Sequence, residues 1–162
     1  MRMGEGVEWA IHCCTILALA PPDVALPGGR LAEFHGVPAP YLAKTLQALT
    51  RAGITESVSG RNGGVRLARA AGEITLLDVV QAVDGDAPAF TCTEIRRRGP
   101  ARVPGRHYTP RCAIATAMGR AEAAWRAELA ATTIADLVVT LAVTVPPDAV
   151  AKGTAWFQEV LQ

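Results

Sequence analysis

The segment LAEFHGVPAPYLAKTLQALTRAGITESVSGRNGGVRLAR, residues 31–69, decides the fold of this 162-residue chain. A short helix that begins at Pro27 is expected to end near His35, because Gly36 follows it. A second helix is expected from Pro38 through about Ala52, with three leucines on one apolar face: Leu42, Leu46 and Leu49. Two helices joined by the short turn HGVPAP predict a helix-turn-helix.

The rest of the segment predicts a β-hairpin. Two short strands flank residues 60–64 in the stretch ITESVSGRNGGVRLAR. The dipeptide Asn62-Gly63 favours a type I′ turn, because that turn needs positive φ at both central residues. A hairpin directly after a helix-turn-helix predicts the wing of a winged-helix domain.

Helices are also expected on both sides of this segment. A helix over residues 5–19 precedes it, with a buried stripe formed by Val7, Ile11, Cys14 and Ala18. After the wing, the capping box Thr75–Asp78 opens a helix that runs through Val83. Further helices are expected over residues 112–131, after the capping sequence Thr133–Asp136, and near residues 154–161.

The predicted fold class is mainly α with a small β-hairpin wing, a winged helix-turn-helix plus a long dimerisation helix. Met118 and Trp125 share the apolar stripe of the 112–131 helix, which favours pairing with a second copy over packing within one chain. Four units are expected: a winged helix-turn-helix domain 1–84, a loop 85–112 that contains two of the cysteines, dimerisation helices 113–142 and a C-terminal extension 143–162.

Composition favours a folded protein with a local basic patch. Half of the residues are apolar, which allows a substantial core. The net charge is only +1, yet residues 40–70 hold five basic side chains against one acid, Glu56. The five are Lys44, Arg51, Arg61, Arg66 and Arg69. Such a patch is a modest signal for nucleic acid.

Operator DNA is the partner that this patch predicts. Tyr41, Lys44 and Gln47 lie away from the leucine face and are candidates for the major groove, with Thr45 a weaker one. Gln47 suits adenine, and Lys44 suits guanine or a phosphate. Arg61 at the wing tip is placed for a backbone or minor-groove contact.

The cysteine count and the apolar runs bear on the compartment. Four cysteines in a chain of this size do not make a disulfide scaffold. No apolar run is long enough for a transmembrane helix, so no membrane partner is expected. Residues 11–20 resemble the core of a signal peptide, but Glu5, Glu8 and His12 argue against one. We expect a cytoplasmic protein.

Cys92 and Cys112 bracket a loop with a single acid, Glu94, and six arginines: Arg96, Arg97, Arg98, Arg102, Arg106 and Arg111. This positive field favours thiolates, which are both metal ligands and reactive groups. Alternatively, the two residues are partly buried free cysteines. Cys13 and Cys14 are expected to pack in the core instead, because Cys14 belongs to the apolar stripe of the first helix.

Glu8 and His12 are four residues apart, so on a helix they share one face and can converge on one metal. They can equally form a surface ion pair. His107 is a rival ligand, and a zinc site with two cysteines and either histidine is a further alternative. The motifs H-x-E…P-C-x-x-C and H-E-x-x-H are absent, so we expect neither an enzyme nor a small-molecule substrate.

Together, the motifs of this chain resemble those of one known family. They are VEWAIHCC (7–14), LAEFHGVPAPYLAKTLQALTRAGI (31–54), SGRNGGVRLAR (59–69), ITLLDVVQAVDG (74–85), FTCTEIRRRGP (90–100) and AEAAWRAELAATTIADL (121–137). Up to about residue 142, the chain is similar to the dimeric winged-helix transcription regulators that include IscR and NsrR.

The resemblance implies a homodimer, and many members bind an iron–sulfur cluster through three loop cysteines. This chain has two cysteines there, which excludes a three-cysteine site. A redox-sensing member of the family shares the VEWAxHCC opening and the two-cysteine loop. That similarity implies a [2Fe–2S] cluster held across the dimer by Glu8, His12, Cys92 and Cys112. Trp9, beside Glu8, is a candidate redox-coupled residue that covers the site, or else ordinary interface packing.

The function implied is that of a redox-responsive transcriptional regulator, a repressor, whose operator affinity is set by the cluster. A cluster-free regulator that senses oxidants through Cys92 or Cys112 is the main alternative. A winged-helix interaction module that binds no DNA is a further one.

Overall fold

The computed structural model describes residues 3–60, 63–100 and 102–161. Those residues form seven α-helices, one antiparallel hairpin and three short 3-10 turns. The helices are α1 (Glu5–Leu19), α2 (Gly28–His35), α3 (Ala39–Arg51), α4 (Leu76–Asp84), α5 (Ala113–Ala131), α6 (Ile134–Thr144) and α7 (Pro147–Val160). The strands are β1 (Thr55–Val58) and β2 (Gly64–Leu67). The 3-10 turns are Ala71–Glu73, Ile95–Arg97 and Gly105–Tyr108.

Helix α1 is the centre of the core, because α3, α4 and α6 all pack against it. Its buried residues lie on more than one face: Val7, Ala10, Cys13, Cys14, Thr15, Ile16 and Leu17. The predicted stripe is therefore only part of the buried surface, and Ile11 and Ala18 are just partly buried. The helix ends at Leu19, since Pro21 disfavours a helical conformation for Ala20.

Helices α2 and α3 form the predicted helix-turn-helix. Gly36 ends α2 in the left-handed conformation, with φ of 64°, and its N–H donates to the carbonyls of Ala32 and Glu33. The predicted leucine face of α3 is buried, with Leu42 and Leu49 fully inaccessible and Leu46 5% exposed.

The hairpin follows α3 directly and is held to the chain before α2. Thr55 pairs with Leu67 and Val58 pairs with Gly64. Leu26 and Val65 exchange two backbone hydrogen bonds of 2.9 Å. A Cβ at residue 64 would lie 2.4 Å from the Leu26 carbonyl, so this close approach requires glycine. The mainly helical fold with its winged helix-turn-helix is confirmed.

Arg61 and Asn62, which are predicted to form the tip of the wing, lie outside the described residues. The type I′ turn and the placement of Arg61 therefore stay predictions.

Both predicted capping boxes are present. The Thr75 hydroxyl accepts from the Asp78 N–H at 3.1 Å, and the Asp78 carboxylate accepts from the Thr75 N–H at 3.0 Å. Thr133 and Asp136 repeat the arrangement at the start of α6, with distances of 3.2 and 2.8 Å. These reciprocal bonds satisfy backbone donors that a helix start leaves unpaired.

The C-terminal helix is longer than predicted. It begins at Pro147 rather than near residue 154, because a proline is favourable in the first turn of a helix, where no N–H partner is needed. Helix α5 begins directly after Cys112, as expected, and leaves Ile114 64% and Met118 41% exposed. Within the described residues, no helix is both long and apolar enough to span a membrane.

Candidate metal centre and nucleic-acid interface

Cys92 and Cys112 are neighbours in the structure, close enough for the Cys92 thiol to affect the pKa of Cys112. Cys112 occupies the N-cap position of α5 and is 8% exposed, whereas Cys92 is exposed. The backbone N–H groups of Ala115 and Ile114 lower the pKa of the Cys112 thiol, and the nearby Arg96 and the Cys92 thiol lower it further. A helix N-terminus stabilises negative charge, so this position favours a thiolate.

One guanidinium organises the loop between the two cysteines. Arg96 binds both carboxylate oxygens of Glu94, at 2.5 and 2.8 Å, and donates to the Pro110 carbonyl at 3.2 Å. The pKa of Glu94 is lowered chiefly by these hydrogen bonds from Arg96. The Tyr108 hydroxyl donates to the Arg96 carbonyl and accepts from the Val103 N–H. Arg96 thus connects Glu94, two residues after Cys92, with Pro110, two residues before Cys112.

Glu94 is also the point of backbone strain in this loop. Its φ of 50° makes it the only non-glycine residue with positive φ in the described part of the chain. Such a conformation persists only where surrounding contacts hold it, and the two bonds from Arg96 provide them. The remaining five loop arginines have no carboxylate within 4.0 Å among the described residues, so their positive field is left uncompensated.

Glu8 and His12 are both exposed on α1, one helical turn apart. The His12 ring lies 5.6 Å, between centroids, from the ring of His35 at the end of α2. His35 was not among the predicted site residues. Its Nε2 is buried without a hydrogen-bond partner in the described residues, and its pKa is lowered first by burial and then by His12.

The four predicted ligands do not form one site within a single chain. Across residues 3–60, 63–100 and 102–161, no three His, Cys, Asp or Glu side chains come together in a group that could hold a metal ion. The cysteine pair and the Glu8–His12 pair are thus two separate pairs of potential ligands. His107 is exposed in its 3-10 turn and does not complete a group of three with the cysteines.

Cys13 and Cys14 belong to the core, as expected. Both are fully inaccessible, and burial raises the pKa of each thiol to about 12. Neither is available as a ligand without unfolding α1.

The outer face of α3 carries the residues proposed for DNA. Tyr41 is 60% exposed, and Lys44 and Gln47 are exposed as well, with the Lys44 ammonium 5.6 Å from the Tyr41 ring centre. Thr45 is different: it is only 7% exposed, and its hydroxyl donates to the Tyr41 carbonyl. Burial beneath α1 removes Thr45 from the surface that faces outward.

A groove of about 560 Å³ separates α2, α3 and the hairpin. Gln47 and Arg51 line one side, Ser57 the hairpin side, and Gly28 and Gly29 the start of α2. Arg51 and Ser57 were not predicted as contacts, although Arg51 lies one turn beyond Gln47 on the same helix face.

Structural ion pairs account for part of the basic patch. Arg66 binds Glu56, its cross-strand partner, at 2.7 Å, and Arg69 lies 3.3 Å from the Asp78 carboxylate. Lys44 and Arg51 have no carboxylate partner among the described residues. These two are therefore the charges that α3 offers to an anion.

A second groove joins the first helix to α3. Trp9 lines it together with Tyr41, Lys44 and the residues that open α1. The residue beside Glu8 thus reaches the same surface as two of the proposed DNA contacts.

A model of the Rrf2 family, described as an iron-dependent transcriptional regulator, matches residues 3–140. The chain belongs to the Rrf2 family. Members of this family are DNA-binding transcription regulators and not enzymes, as expected for this chain.

Two curated relatives match part of the chain. Protein aau3 of Rhizobium meliloti (strain 1021) is 42% identical over 95 residues, which cover 58% of this chain and 60% of the relative. The putative HTH-type transcriptional regulator YwgB of Bacillus subtilis (strain 168) is 35% identical over 85 residues, or 52% of this chain and 54% of the relative. The alignments thus span little more than half of either relative.

Solved structures of two regulators share the fold. CymR (YrzC), the global cysteine regulator of B. subtilis, superposes with a TM-score of 0.69 at 18% identity and covers 86% of this chain and 98% of its own. T. potens IscR superposes with a TM-score of 0.67 at 18% identity, and the alignment covers 92% of this chain and 96% of IscR. At these identities the likeness establishes the Rrf2 winged-helix fold.

Proposed function

We propose that this Rrf2 regulator is a redox-responsive repressor that works as a homodimer. In each of its two sites, Cys92 and Cys112 of one subunit and Glu8 and His12 of the other hold one [2Fe–2S] cluster. The description of the family as iron-dependent supports a metal. The observation that carries the proposal is the division of the ligands into two separate pairs, one on a helix and one on a loop.

Each pair suits one iron of such a cluster. A [2Fe–2S] cluster needs two protein ligands on each iron, and when bound it supplies a centre that gains or loses one electron. The neighbouring thiols of Cys92 and Cys112 and the one-turn spacing of Glu8 and His12 meet that need. A second copy of the chain would supply the pair that each site lacks, consistent with the exposed apolar side chains of α5.

Helix α1 can pass a change at Glu8 and His12 to the DNA-reading helix. A Cβ at Gly6 would lie 3.4 Å from the Thr45 hydroxyl and 3.2 Å from a Val83 methyl, so α1 has little room to move alone. Trp9 lines the same groove as Tyr41 and Lys44, so a shift of α1 would change the shape of that groove as well. A shift of α1 would therefore change the position of α3 and with it the operator affinity.

The test of the ligand set is an anaerobic absorption spectrum with iron and sulfide counts. Glu8→Ala, His12→Ala, Cys92→Ser and Cys112→Ser are each expected to lose the cluster, while His107→Ala and Cys13→Ala keep it. A full cluster in both Glu8→Ala and His12→Ala would show that the ligand set is wrong.

Sharing between subunits has its own test, by complementation. One chain carries Glu8→Ala with His12→Ala, and the other carries Cys92→Ser with Cys112→Ser. Each alone is expected to hold no iron, but the co-expressed heterodimer has one intact site and should recover one cluster per dimer. No recovery, with the heterodimer verified by mass, would show that the site is not shared between subunits in this way.

For DNA, we propose that Tyr41, Lys44, Gln47 and Arg51 contact the operator, with Arg61 on the wing. Each phosphate contact that is lost should flatten the salt dependence of binding by about 0.9 in the log–log slope. Arg51→Ala and Arg61→Ala are expected to do so. Arg66→Ala is the matched control, because that side chain is already paired with Glu56.

A cluster-free thiol sensor is the second candidate, and the proximity of Cys92 to Cys112 favours it. Oxidation of the two thiols to a disulfide by hydrogen peroxide, which takes their two protons and two electrons and becomes two water molecules, would close the loop without a metal. Colour separates the two: the cluster protein is brown when purified without oxygen, and the thiol sensor is colourless.

A further inference from the structure

Helix α7 lies beyond residues 3–140, which match the family, yet it packs on the helix-turn-helix. The ring of Trp156 lies 4.6 Å from that of Phe34 of α2, measured between ring centroids. The ring of Phe157 lies 5.2 Å from that of Trp156. Glu159 binds Arg30 of α2 at 2.5 Å. The C-terminal helix therefore makes its contacts with the first helix of the DNA-binding motif.

The docked position is only weakly held. Trp156, Phe157 and Val160 are partly buried, while Val150 and Leu161 stay 50% and 45% exposed. The Trp156 Nε1 and the His35 Nε2 are buried without a hydrogen-bond partner among the described residues. A buried donor that lacks a partner costs free energy, which release into water would recover. Docking thus combines a small aromatic contact with an unpaired donor.

The contact also removes charge from the side of the motif that approaches DNA. Arg30 follows Gly28 and Gly29, which line the groove shared with Gln47 and Arg51. The first helix of a helix-turn-helix crosses the DNA backbone, so an arginine in its first turn is placed near phosphates. In the docked state this arginine is bound by Glu33 of its own helix and by Glu159 of α7.

We propose that α7 is an autoinhibitory latch: docked on α2 through Trp156 and Glu159, it lowers operator affinity, and it is released when the regulator binds DNA. The phosphate backbone then replaces Glu159 as a partner of Arg30. The latch lies next to the proposed sensor, since Phe34 contacts His35 at 5.0 Å and His35 faces His12. The latch itself requires only DNA binding and no cluster.

The experiment uses the full chain and an operator selected by the wild-type protein from a random-sequence library. Glu159→Gln and Trp156→Ala are expected to tighten operator binding about two- to fivefold, the range of an exposed ion pair. Arg30→Ala should flatten the salt slope by about 0.9 per protomer, whereas Glu159→Gln should keep the wild-type slope, because the released wild type makes the same phosphate contact. Asp148→Asn, which removes a charge from the first turn of the same helix, is the control and should change neither.

Two further variants separate the latch from a general charge effect. The double variant Arg30→Ala/Glu159→Gln should bind the operator no more tightly than Arg30→Ala alone, because the arginine that Glu159→Gln would free for the phosphates is missing. Trp156→Phe keeps an aromatic side chain but removes the unpaired indole N–H, which should stabilise the docked helix. This variant should therefore bind DNA no more tightly than wild type. Melting curves for all variants check that the winged helix stays folded.

Amide hydrogen exchange over residues 147–160 reports the latch directly. Exchange should be slow in the free protein, faster in Trp156→Ala, and faster again in wild type when the operator is added. Unchanged or slower exchange on the operator, or wild-type affinity in both Trp156→Ala and Glu159→Gln, would overturn the proposal. A library that yields no operator would instead count against DNA binding itself.

Discussion

The four cysteines are predicted to divide into two reactive and two unreactive thiols. Cys13 and Cys14 are fully buried, and burial raises the pKa of each to about 12. Cys112 is in the opposite situation, because the backbone N–H groups of Ala115 and Ile114 lower its pKa. Since the thiolate is the nucleophile, this difference in pKa becomes a difference in reaction rate.

The size of the effect follows from the thiolate fractions at pH 8. A free cysteine with a pKa of about 8.5 is roughly one quarter thiolate at that pH. With a pKa of about 12, Cys13 and Cys14 are thiolate only to about 10⁻⁴. The buried pair should therefore react at least about 10³ times more slowly than a free thiol, even before their inaccessibility is considered.

The assay is alkylation of the reduced, metal-free protein with iodoacetamide, followed at each cysteine by peptide mass spectrometry. Cys92 and Cys112 are expected to be modified while Cys13 and Cys14 remain intact. The control is the same reaction in guanidinium, where all four should react alike. If Cys13 or Cys14 were alkylated in the native protein as fast as Cys92, the argument from burial would be refuted.

Three predictions concern stability. Cys13 and Cys14 ionise above about pH 9 in the unfolded chain but only near pH 12 in the folded protein. Between these values the free energy of unfolding of wild type should fall by about 1.4 kcal/mol for each thiol and each pH unit. Urea unfolding of Cys13→Ala/Cys14→Ala should lack this loss, and equal pH slopes would contradict it. Gly64→Ala should cost about 1–3 kcal/mol because its Cβ meets the Leu26 carbonyl, whereas Gly29→Ala, with open space around it, should cost nothing. Thr75→Ala should cost about 1 kcal/mol in thermal unfolding through the lost cap, and an unchanged melting temperature would exclude that role.

The elements of this fold were predictable because each carries its own local signals. Gly36 ends α2 where the sequence places it, and the boxes opened by Thr75 and Thr133 start α4 and α6. The start of α7 is not evident from the sequence, because Pro147 can either follow the end of one helix or occupy the first turn of the next.

The candidate site was harder to predict because its geometry depends on packing between elements. A helical projection of α3 places Thr45 near the edge of the apolar face, but only the position of α1 decides that it is buried. His35 could not be linked to His12 from spacing, since the two lie on different helices. The strained backbone of Glu94 has no signature in the sequence either.

The start of α5 differs from the starts of α4 and α6 and resembles those of α1, α2, α3 and α7, which also lack a side-chain cap. Thr75 and Thr133 begin α4 and α6 with reciprocal hydrogen bonds, whereas Cys112 begins α5 with no side-chain hydrogen bond of that kind. Threonine at an N-cap stabilises a helix, and cysteine lacks the hydroxyl that does so. The same helix terminus that would have gained stability from a hydroxyl instead lowers the pKa of a thiol beside Cys92. A thiolate at this position is suited to metal binding and to oxidation alike, which are the two chemistries that the proposed spectra and iron counts separate.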